Sequence, residues 1–369
     1  ADALTIRPRL GYTTAPYKGI TGFLEFEHLQ AVPDDDDYNA AGLNAGQGDR
    51  AVIADVEGTE LNQAWLAGAC PLTGVKGKVG RQRIKLDNDR FIGNVGWRQN
   101  EQTYDSAVAQ HTLMDQIDLF YGYVWGVNRI FGQDHGSEPS GESANAAHFN
   151  ADSHLVNVAV SACPQARVTG YVYLLDLGQG TFARANSSDT YGVRLAGSYA
   201  IGEEQSVGYS AEFATQSDND ATTEGVSMDA DYMAFDLSGN VALGSVGVGY
   251  EVLGSDNGAA FKTPLATLHA FNGWADVFLS TPDAGLEDRY VYASSTLPAD
   301  LNAKVVYHDF SSDVGSTDYG TEIDAVVSRK MTDHLIVLAK YANYSGDNAA
   351  DNPRAADVEK FTVEATFSF

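Results

Sequence analysis

The chain has 369 residues, a length that suits two or three soluble domains or one large β-barrel. Its 50 acidic residues outnumber its 23 Lys and Arg residues, and the formal net charge of −27 excludes nucleic acid as a favourable partner. No run of about 18 apolar residues occurs, which excludes a transmembrane helix but not a barrel, because barrel strands show only weak alternation. Much of the acidic charge lies in polar runs that we interpret as solvated loops, at 34–37, 134–142, 218–224 and 313–318.

Alternation of apolar and polar residues predicts about seventeen β-strands in a single all-β domain over residues 1–369. Tyr (19), Phe (16) and Gly (37) are plentiful and Pro (10) is scarce, as in long twisted strands with aromatic girdles and tight turns. In chain order the predicted strands are 4–14, 19–30, 59–69, 75–86, 104–114, 117–129, 154–163, 166–177, 189–201, 204–216, 229–240, 243–254, 287–297, 301–311, 319–331, 334–345 and 359–369.

The connections between these strands alternate between short and long. Short ones occur at 15–19, 70–74, 115–116, 298–300 and 332–333, and long ones at 31–58, 130–153, 217–228, 255–286 and 346–358. This sorting is typical of a transmembrane antiparallel β-barrel in a bacterial outer membrane, with short turns in the periplasm and long loops outside, where several fold inward. We therefore expect outer-membrane lipid and lipopolysaccharide around the chain, which should be a monomer.

An odd number of strands cannot close an antiparallel barrel, and single-chain barrels of this kind have an even number. We therefore expect one further strand before Ala1, which would make eighteen. The alternative is a missed hairpin within 255–286 and a barrel of sixteen strands. With seventeen visible strands, Ala1 should lie at the outer rim and Phe369 at the periplasmic rim.

The last ten residues support the barrel. Phe361, Val363, Ala365, Phe367 and Phe369 form one apolar face, and the residues between them are polar. Ten residues is the length that a tilted strand needs to cross a bilayer. The pattern resembles the C-terminal signature of bacterial outer-membrane barrels.

Charged residues fall on the side of each strand opposite the aliphatic residues, so we expect them to face the lumen. A lipid-facing Arg at the midplane of the bilayer would cost about 2–4 kcal/mol, which favours the same assignment. The residues predicted in this way to line the solute path are Arg7, Arg9, Glu25, Glu27, Arg129, Arg194, Glu251, Lys304, Glu322, Asp324 and Lys340.

In strand 75–86 the inward–outward alternation read from the start of the strand differs by one residue from the alternation read from its end. Alternation from its start would direct Arg81 and Arg83 into lipid, whereas alternation from its end directs Arg81, Arg83 and Lys85 inward. A β-bulge at Gly80 would resolve the conflict, because a bulge inserts one residue and glycine tolerates the conformation. We therefore add these three cations to the predicted lumen.

The loop at 87–102 carries Phe91, Ile92, Val95 and Trp97, more apolar surface than a solvated loop would expose. It should fold into the barrel mouth and bring Arg90 and Arg98 to a constriction, and the segment 264–278 should behave similarly. The alternative is that the two loops pack on each other outside the barrel.

The segment GRQRIKLDNDRFIGNVGWRQNEQ (80–102) resembles the central motif of the alginate-export family of outer-membrane barrels. Further similar segments are LTIRPRLGY (4–12), FLEFEH (23–28), EGTELNQAWL (57–66), VNRIFG (127–132), GYEVLGSDNG (249–258), PLATLHAFNGWAD (264–276) and VYHDFSSDVGSTDYGTEID (306–324). The resemblance implies a porin-like channel, and it implies export of an anionic polysaccharide less firmly, because fold transfers between proteins more safely than cargo.

From these residues we expect passive passage of a hydrophilic, anionic solute or polysaccharide, since arginine binds carboxylates in a bidentate manner. The alternatives are a general or nutrient-uptake diffusion porin without a role in export, and a surface receptor, adhesion barrel or membrane enzyme. We do not expect an enzyme, because the sequence has no GxSxG, HExxH or phosphate-loop motif. No cofactor is expected, although the acidic runs 34–39 and 254–258 leave calcium binding open.

The two cysteines, Cys70 and Cys163, each precede proline in a predicted short turn. Four strands separate the two turns, a distance of roughly 20 Å at about 4.8 Å per strand. Bridged cysteines have Cα atoms within about 7 Å of each other, so we do not expect a disulfide.

Overall fold

A computed structural model describes residues 3–32, 38–41, 43, 52–132, 141–163, 165–178, 180–219, 228–241, 244–348 and 350–369. The acidic run at 34–37, most of 134–142 and 218–224, and Ala1 itself lie outside the described residues. Within those residues no helix is long and apolar enough to cross a membrane.

Nearly all regular structure is β-strand. The strands are β1 (Thr5–Ile6), β2 (Arg9–Thr13), β3 (Ile20–Ala31), β4 (Gly58–Ala69), β5 (Lys76–Gln82), β6 (Thr103–Leu113), β7 (Ile117–Asn128), β8 (His148–Cys163), β9 (Ala166–Leu175), β10 (Ser188–Ala200), β11 (Ser206–Ser217), β12 (Asp229–Val241), β13 (Gly244–Leu253), β14 (Ser255–Asp256), β15 (Ala259–Ala260), β16 (Leu286–Leu297), β17 (Leu301–Ser311), β18 (Asp318–Lys330), β19 (Leu335–Gly346) and β20 (Val358–Phe367). One short helix, α1 (Thr181–Ala185), and one 3₁₀ turn, Leu268–Ala270, lie in loops.

The first predicted strand is divided in two by proline. Both β1 and β2 pair with β3, and they cover successive parts of it. Pro8 lies between them and has no N–H to give to the ladder, although its carbonyl accepts a hydrogen bond from the amide of His28 at 3.1 Å. The two segments therefore act as one strand position with a local break.

The strands form one antiparallel meander. Counting β1 and β2 together, and leaving out the small β14–β15 hairpin, there are seventeen positions, each paired with its neighbour in the chain. This confirms the predicted all-β fold of about seventeen strands. Seventeen positions are joined by sixteen antiparallel steps, so β2 and β20 run in the same direction. In the described residues the residue-by-residue register pairs β20 with β19 alone.

The two ends of the meander lie on opposite rims. Thr5 pairs with Ala31 beside the long connection that follows β3, whereas Phe367 pairs with Leu335 beside a short turn. The described part of the chain therefore begins at the rim of the long loops and ends at the rim of the short turns, as the loop parity predicts.

Each strand presents an exposed apolar face outward and a more buried face inward. On β20 the outward side chains of Phe361, Val363 and Phe367 are all exposed, as are Leu66 on β4 and Val79 on β5. On the inner face, Tyr171, Tyr173 and Tyr232 are almost completely buried. This inside-out pattern is the one that a bilayer requires, since the lipid replaces a protein core on the outer face.

The bulge that we expect at Gly80 is absent from the register. Pairing on both sides of β5 is continuous through this residue, so Arg81 lies on the same face as the exposed Val79. Arg81 forms an ion pair with Asp105 of β6 at 2.8 Å, which offsets the cost of this outward position. Gly80 has a φ of +122°, and a Cβ there would approach the Ala64 carbonyl oxygen to 2.2 Å, so the position requires glycine.

Both cysteines are free and exposed, as the distance between their turns predicts.

Candidate functional site

Two long connections fold against each other inside the strands. The amide of Gly93 donates to the Leu265 carbonyl at 2.9 Å, and the amide of Thr267 donates to the Asp89 carbonyl at 3.0 Å. Glycine is required at 93, because a Cβ there would meet Oγ1 of Thr267 at 2.3 Å. The loops at 83–102 and 254–285 are therefore joined along their backbones.

The joined loops pack on the inner wall of the sheet. Phe91 lies 5.1 Å from the ring of Tyr232, 5.5 Å from Tyr171 and 5.7 Å from Phe261 of the second loop, measured between ring centroids. These residues belong to one buried apolar cluster with Ile92. The contacts with inner-face tyrosines support the inward interpretation of both loops over packing outside the barrel.

Arg90 fixes these loops to the wall. Its guanidinium donates to both carboxylate oxygens of Glu251, at 2.7 and 3.1 Å, and to Asn272 at 3.0 Å. It also stacks on Phe271, and only 1% of the residue is exposed. Arg90, which we expect at the constriction, is thus sealed off from solvent and serves as an anchor.

Glu322 and Asp324 of β18 bind the loop at 254–285 from the wall of the sheet. Glu322 accepts a hydrogen bond from the amide of Ala275 at 2.6 Å, and Asp324 accepts one from the amide of Trp274 at 3.1 Å. Neither acid has measurable exposure. The pair is therefore on the inner face, as alternation predicts, but lies beneath a loop where a passing solute cannot reach it.

Glu101 is the centre of a second polar network, near the start of the chain. Arg83 donates to its two oxygens at 2.7 and 2.8 Å, and Asn62 and Asn94 each donate to it at 2.6 Å. Burial, the largest single influence, raises the pKa of this loop carboxylate, but Arg83, Arg9 and Asn62 together outweigh burial and lower the pKa overall. Arg83 also pairs with Glu25 at 2.8 Å.

Arg7 and Arg9 join the same network. Arg9 forms an ion pair with Glu27 and lies 3.4 Å from Glu101. Arg7 donates to the backbone carbonyls of Arg98 and Gln99, at 3.0 and 2.7 Å. The glutamates predicted on the inner face of β3 therefore neutralise neighbouring arginines.

A third group combines stacked rings with three cations. We call it the Trp97 cluster, and it consists of Trp97, Arg98, His269, Asp276, Lys340 and Lys360. Trp97 and His269 stack with centroids 3.5 Å apart, and the Arg98 guanidinium lies 4.2 Å from the Trp97 centroid. The Lys340 ammonium lies 2.6 Å from Nε2 of His269.

Asp276 is the acid nearest to these cations. It lies 2.7 Å from Nδ1 of His269, 2.9 Å from Lys360 and 3.6 Å from Arg98. Burial works to raise its pKa, yet His269, Lys360 and Arg98 together lower the pKa to about 2, so Asp276 is ionised. Burial lowers the pKa of His269, so the neutral ring donates from Nδ1 to Asp276 and accepts from Lys340 at Nε2.

The other residues of the predicted solute path are more scattered. Arg194 pairs with Glu212 at 3.3 Å, Lys85 pairs with Asp89 at 2.9 Å, and Lys304 lies over the ring of Tyr292 at 5.1 Å. Arg129 donates to the carbonyls of Ala144 and Ala146 and stacks on Phe149, so it braces a loop.

Sequence reasoning did not select Glu101, His269, Asp276 or Lys360. The presence of His269 and Asp276 within PLATLHAFNGWAD offers a weak signal, because they are the two titratable residues in a largely apolar loop. Glu101 and Lys360 reach their partners only through the tertiary fold. Among the described residues no group of three or more His, Cys, Asp or Glu could hold a metal ion.

Comparison with known proteins identifies the architecture. No protein-family model and no curated protein matches the chain. Solved structures do match, among them Acinetobacter baumannii OccAB2, with a TM-score of 0.74, 13% identity and coverage of 98% of this chain and 91% of that one. For Pseudomonas aeruginosa OccK9 (OpdG) the TM-score is 0.72 and the identity 15%, with coverage of 98% of this chain and 90% of that one. For Pseudomonas aeruginosa OpdL the TM-score is 0.68 and the identity 14%, with coverage of 100% of this chain and 92% of that one.

The fold is that of an outer-membrane β-barrel porin. This agrees with the predicted location in a Gram-negative outer membrane. The resemblance to the alginate-export family is not supported, because the structural neighbours are Occ and Opd porins.

Proposed function

We propose that the chain is a passive outer-membrane channel for the uptake of small, hydrophilic, anionic solutes, and that it has no enzymatic activity. The Trp97 cluster is the observation that carries this proposal. It brings Arg98 of the first loop together with Lys340 of β19 and Lys360 of β20 around Asp276, and Asp55 is a further acid 4.0 Å from Arg98. A cationic constriction with several weak contacts favours anions without retaining them.

The balance of charge along the inner face favours the same direction of selectivity. Glu25, Glu27 and Glu251 are each in an ion pair with an arginine. By contrast, no ion pair engages Lys304 in the described part of the chain. The net charge of −27 is therefore a poor guide to this part of the lumen, where these three glutamates are paired with arginines.

Uptake of small solutes fits this lumen better than export of a polysaccharide. Two loops joined through their backbones, and held by the Arg90–Glu251 pair, occupy part of the interior. The structural neighbours are substrate-specific channels, which supports the same proposal by analogy of fold.

Liposome swelling tests the proposal. We expect vesicles that contain the protein to swell in small sodium carboxylates faster than in neutral sugars of equal size, and not to swell in alginate oligomers. Vesicles that contain heat-denatured protein are the control. Equal rates for carboxylates and sugars would reject anion selectivity, and swelling in alginate oligomers would restore the export hypothesis.

A further inference from the structure

A cavity of about 660 Å³ lies in the lumen on the short-turn side of the loops. Gly19 and Ala69, which adjoin the turns after β2 and β4, form its lower edge, and Arg83 and Lys85 of the in-folded loop form part of its upper wall. Its volume is within the range of sites for small organic ligands, a few hundred to about 1,000 Å³.

One wall of the cavity is cationic. Lys76, Lys78, Arg83 and Lys85 all line it, and no Asp or Glu does. Arg83 and Lys85 are neutralised by acids outside the cavity, at 2.8 Å from Glu25 and 2.9 Å from Asp89. Lys76 and Lys78 have no ion pair within the residues that the structure describes.

The position of these two lysines is set by the strand. Lys76 and Lys78 are two residues apart on β5, so they share one face and their Cα atoms are about 6.5–7 Å apart. The outward residues Gly77 and Val79 lie between and beside them, which directs both lysines inward. The ammonium of Lys78 lies 4.9 Å from the ring centroid of Trp65, an arrangement that limits its mobility.

The side chains beside the lysines on the same wall are apolar. Ala67 and Val108 pair with Lys78 from β4 and β6, Trp65 packs on Phe23 with centroids 5.2 Å apart, and Phe120 lies on the next strand, β7. A purely inorganic anion would leave that apolar surface in contact with water. A ligand with both a negative group and an apolar body would satisfy the lysines and their apolar neighbours together.

We propose that this cavity binds an organic anion with an apolar body, such as an arylalkanoate, after the solute has passed the Trp97 cluster. The carboxylate would meet the ammonium groups of Lys76 and Lys78, and the ring would lie against the apolar side chains beside them, Trp65 among them. The inference deepens the proposed function and rests on it, since it names a class of solute for the same lumen. Binding here is weak enough for release, because the lysines act as point charges without a bidentate fork.

Single-channel recording in planar bilayers, with 3-phenylpropionate added on the short-turn side, tests this site. We expect resolved current blockades in the wild type, and weaker ones with propionate, which lacks the ring, and with 3-phenylpropionamide, which lacks the charge. In the double variant Lys76→Gln/Lys78→Gln the dissociation constant should rise about tenfold. Trp65→Leu should weaken binding of 3-phenylpropionate but not of propionate.

Lys304→Gln is the matched control, because Lys304 is also on the inner face and also lies over an aromatic ring, that of Tyr292 at 5.1 Å. It does not line the cavity and should leave the blockades unchanged. Equal weakening by Lys304→Gln and by the double variant would mean that general lumen charge, and not this cavity, holds the anion. Equal blockade by all three probes would also overturn the proposal.

If the wild type carries no ion current, the proposed channel function is wrong, but the binding site still has to be tested separately. Titration of the purified protein with 3-phenylpropionate, followed by tryptophan fluorescence, then decides the site alone. A change in emission in the wild type that Trp65→Phe abolishes would support it, and an identical change in both proteins would reject it. Heat-modifiable migration in detergent gels verifies that each variant is folded.

Discussion

At the scale of single residues, cations on the same lumen wall have different tasks because they differ in access to water. Arg90 has a complete set of partners and 1% exposure, whereas Lys85 is 56% exposed at its side chain. An arginine sealed against a carboxylate holds structure together, since neither charge can return to water without breaking the pair. A cation that is sealed as completely as Arg90 cannot contact a passing solute.

Arg90→Leu should therefore destabilise the barrel severely. The change leaves the Glu251 carboxylate buried without its partner, at a cost of about 3–5 kcal/mol in the free energy of unfolding. The double variant Arg90→Leu/Glu251→Gln should recover a large part of that loss. Urea unfolding from lipid vesicles, followed by tryptophan fluorescence, measures both.

The comparison for this prediction is Arg289→Leu. Arg289 is 52% exposed and pairs with Glu287, so its loss should cost less than about 1 kcal/mol. If Arg90→Leu unfolds at the same urea concentration as Arg289→Leu, the Arg90 pair is not an anchor.

His269 should make the channel sensitive to acid. Burial lowers its folded pKa below the ordinary 6.5, so the unfolded chain takes up the proton first, and the stability due to the neutral ring is lost as pH falls below about 6.5. The groups that face the ring are Asp276, Lys340, Arg98 and Trp97. Protonation removes the acceptor for Lys340 and adds a positive charge.

We therefore expect anion selectivity and current noise to rise between pH 7 and pH 5 in the wild type. His269→Gln keeps a polar side chain but cannot take up a proton, so its currents should vary less over this range. Reversal potentials recorded at each pH provide the measurement. Identical pH profiles for both proteins would exclude His269 as the source.

At the scale of elements, strand positions could be predicted from sequence because alternation records which face meets lipid. The incorrect prediction of a bulge in β5 shows the limit of this alternation signal. Ile84 and Leu86 follow the strand and are apolar because they pack with the in-folded loops, not because they face lipid. Treating them as strand residues created a second phase, and with it a bulge at Gly80 that the register does not contain.

The site was harder to predict than the strands, for a related reason. Alternation assigns Glu322, Asp324 and Glu251 to the inner face correctly, but it cannot show that loops cover them. Partners such as Asp276 and Lys340 lie far apart in the chain and meet only after the loops fold inward. A single sequence holds no local pattern for such contacts.

The junction between the two loops can be tested at Gly93. Gly93→Ala introduces a Cβ that would meet Thr267 Oγ1 at 2.3 Å and its amide nitrogen at 3.0 Å, so the loops must separate. We expect larger conductance and faster cleavage of the loops by added protease. Gly170→Ala is the control, since no atom lies within 4 Å of the added Cβ. Unchanged conductance in Gly93→Ala would show that the loops do not limit the pore.

At the scale of the whole molecule, net charge and function point in opposite directions, and the position of each charge resolves the conflict. The acidic excess includes polar stretches outside the strands, whereas the lumen brings arginines and lysines together at the Trp97 cluster and along β5. Charges farther from the path than a Debye length, about 8 Å at physiological ionic strength, are largely screened. Ion selectivity should therefore follow the charges that line the lumen and not the net charge of the chain.

Reversal potentials in a potassium chloride gradient should therefore favour anions in the wild type. Arg98→Gln removes a cation from the Trp97 cluster and should lower the ratio of anion to cation permeability by a factor of about two or more, because the remaining Asp276 charge is less balanced. Arg81→Gln is the matched control. It removes the same charge from the same stretch of chain, but Arg81 lies on the outer face with Asp105 and should not affect the ratio. A cation-selective wild type that neither substitution alters would mean that lumen carboxylates govern the pore, and would remove the case for anionic solutes.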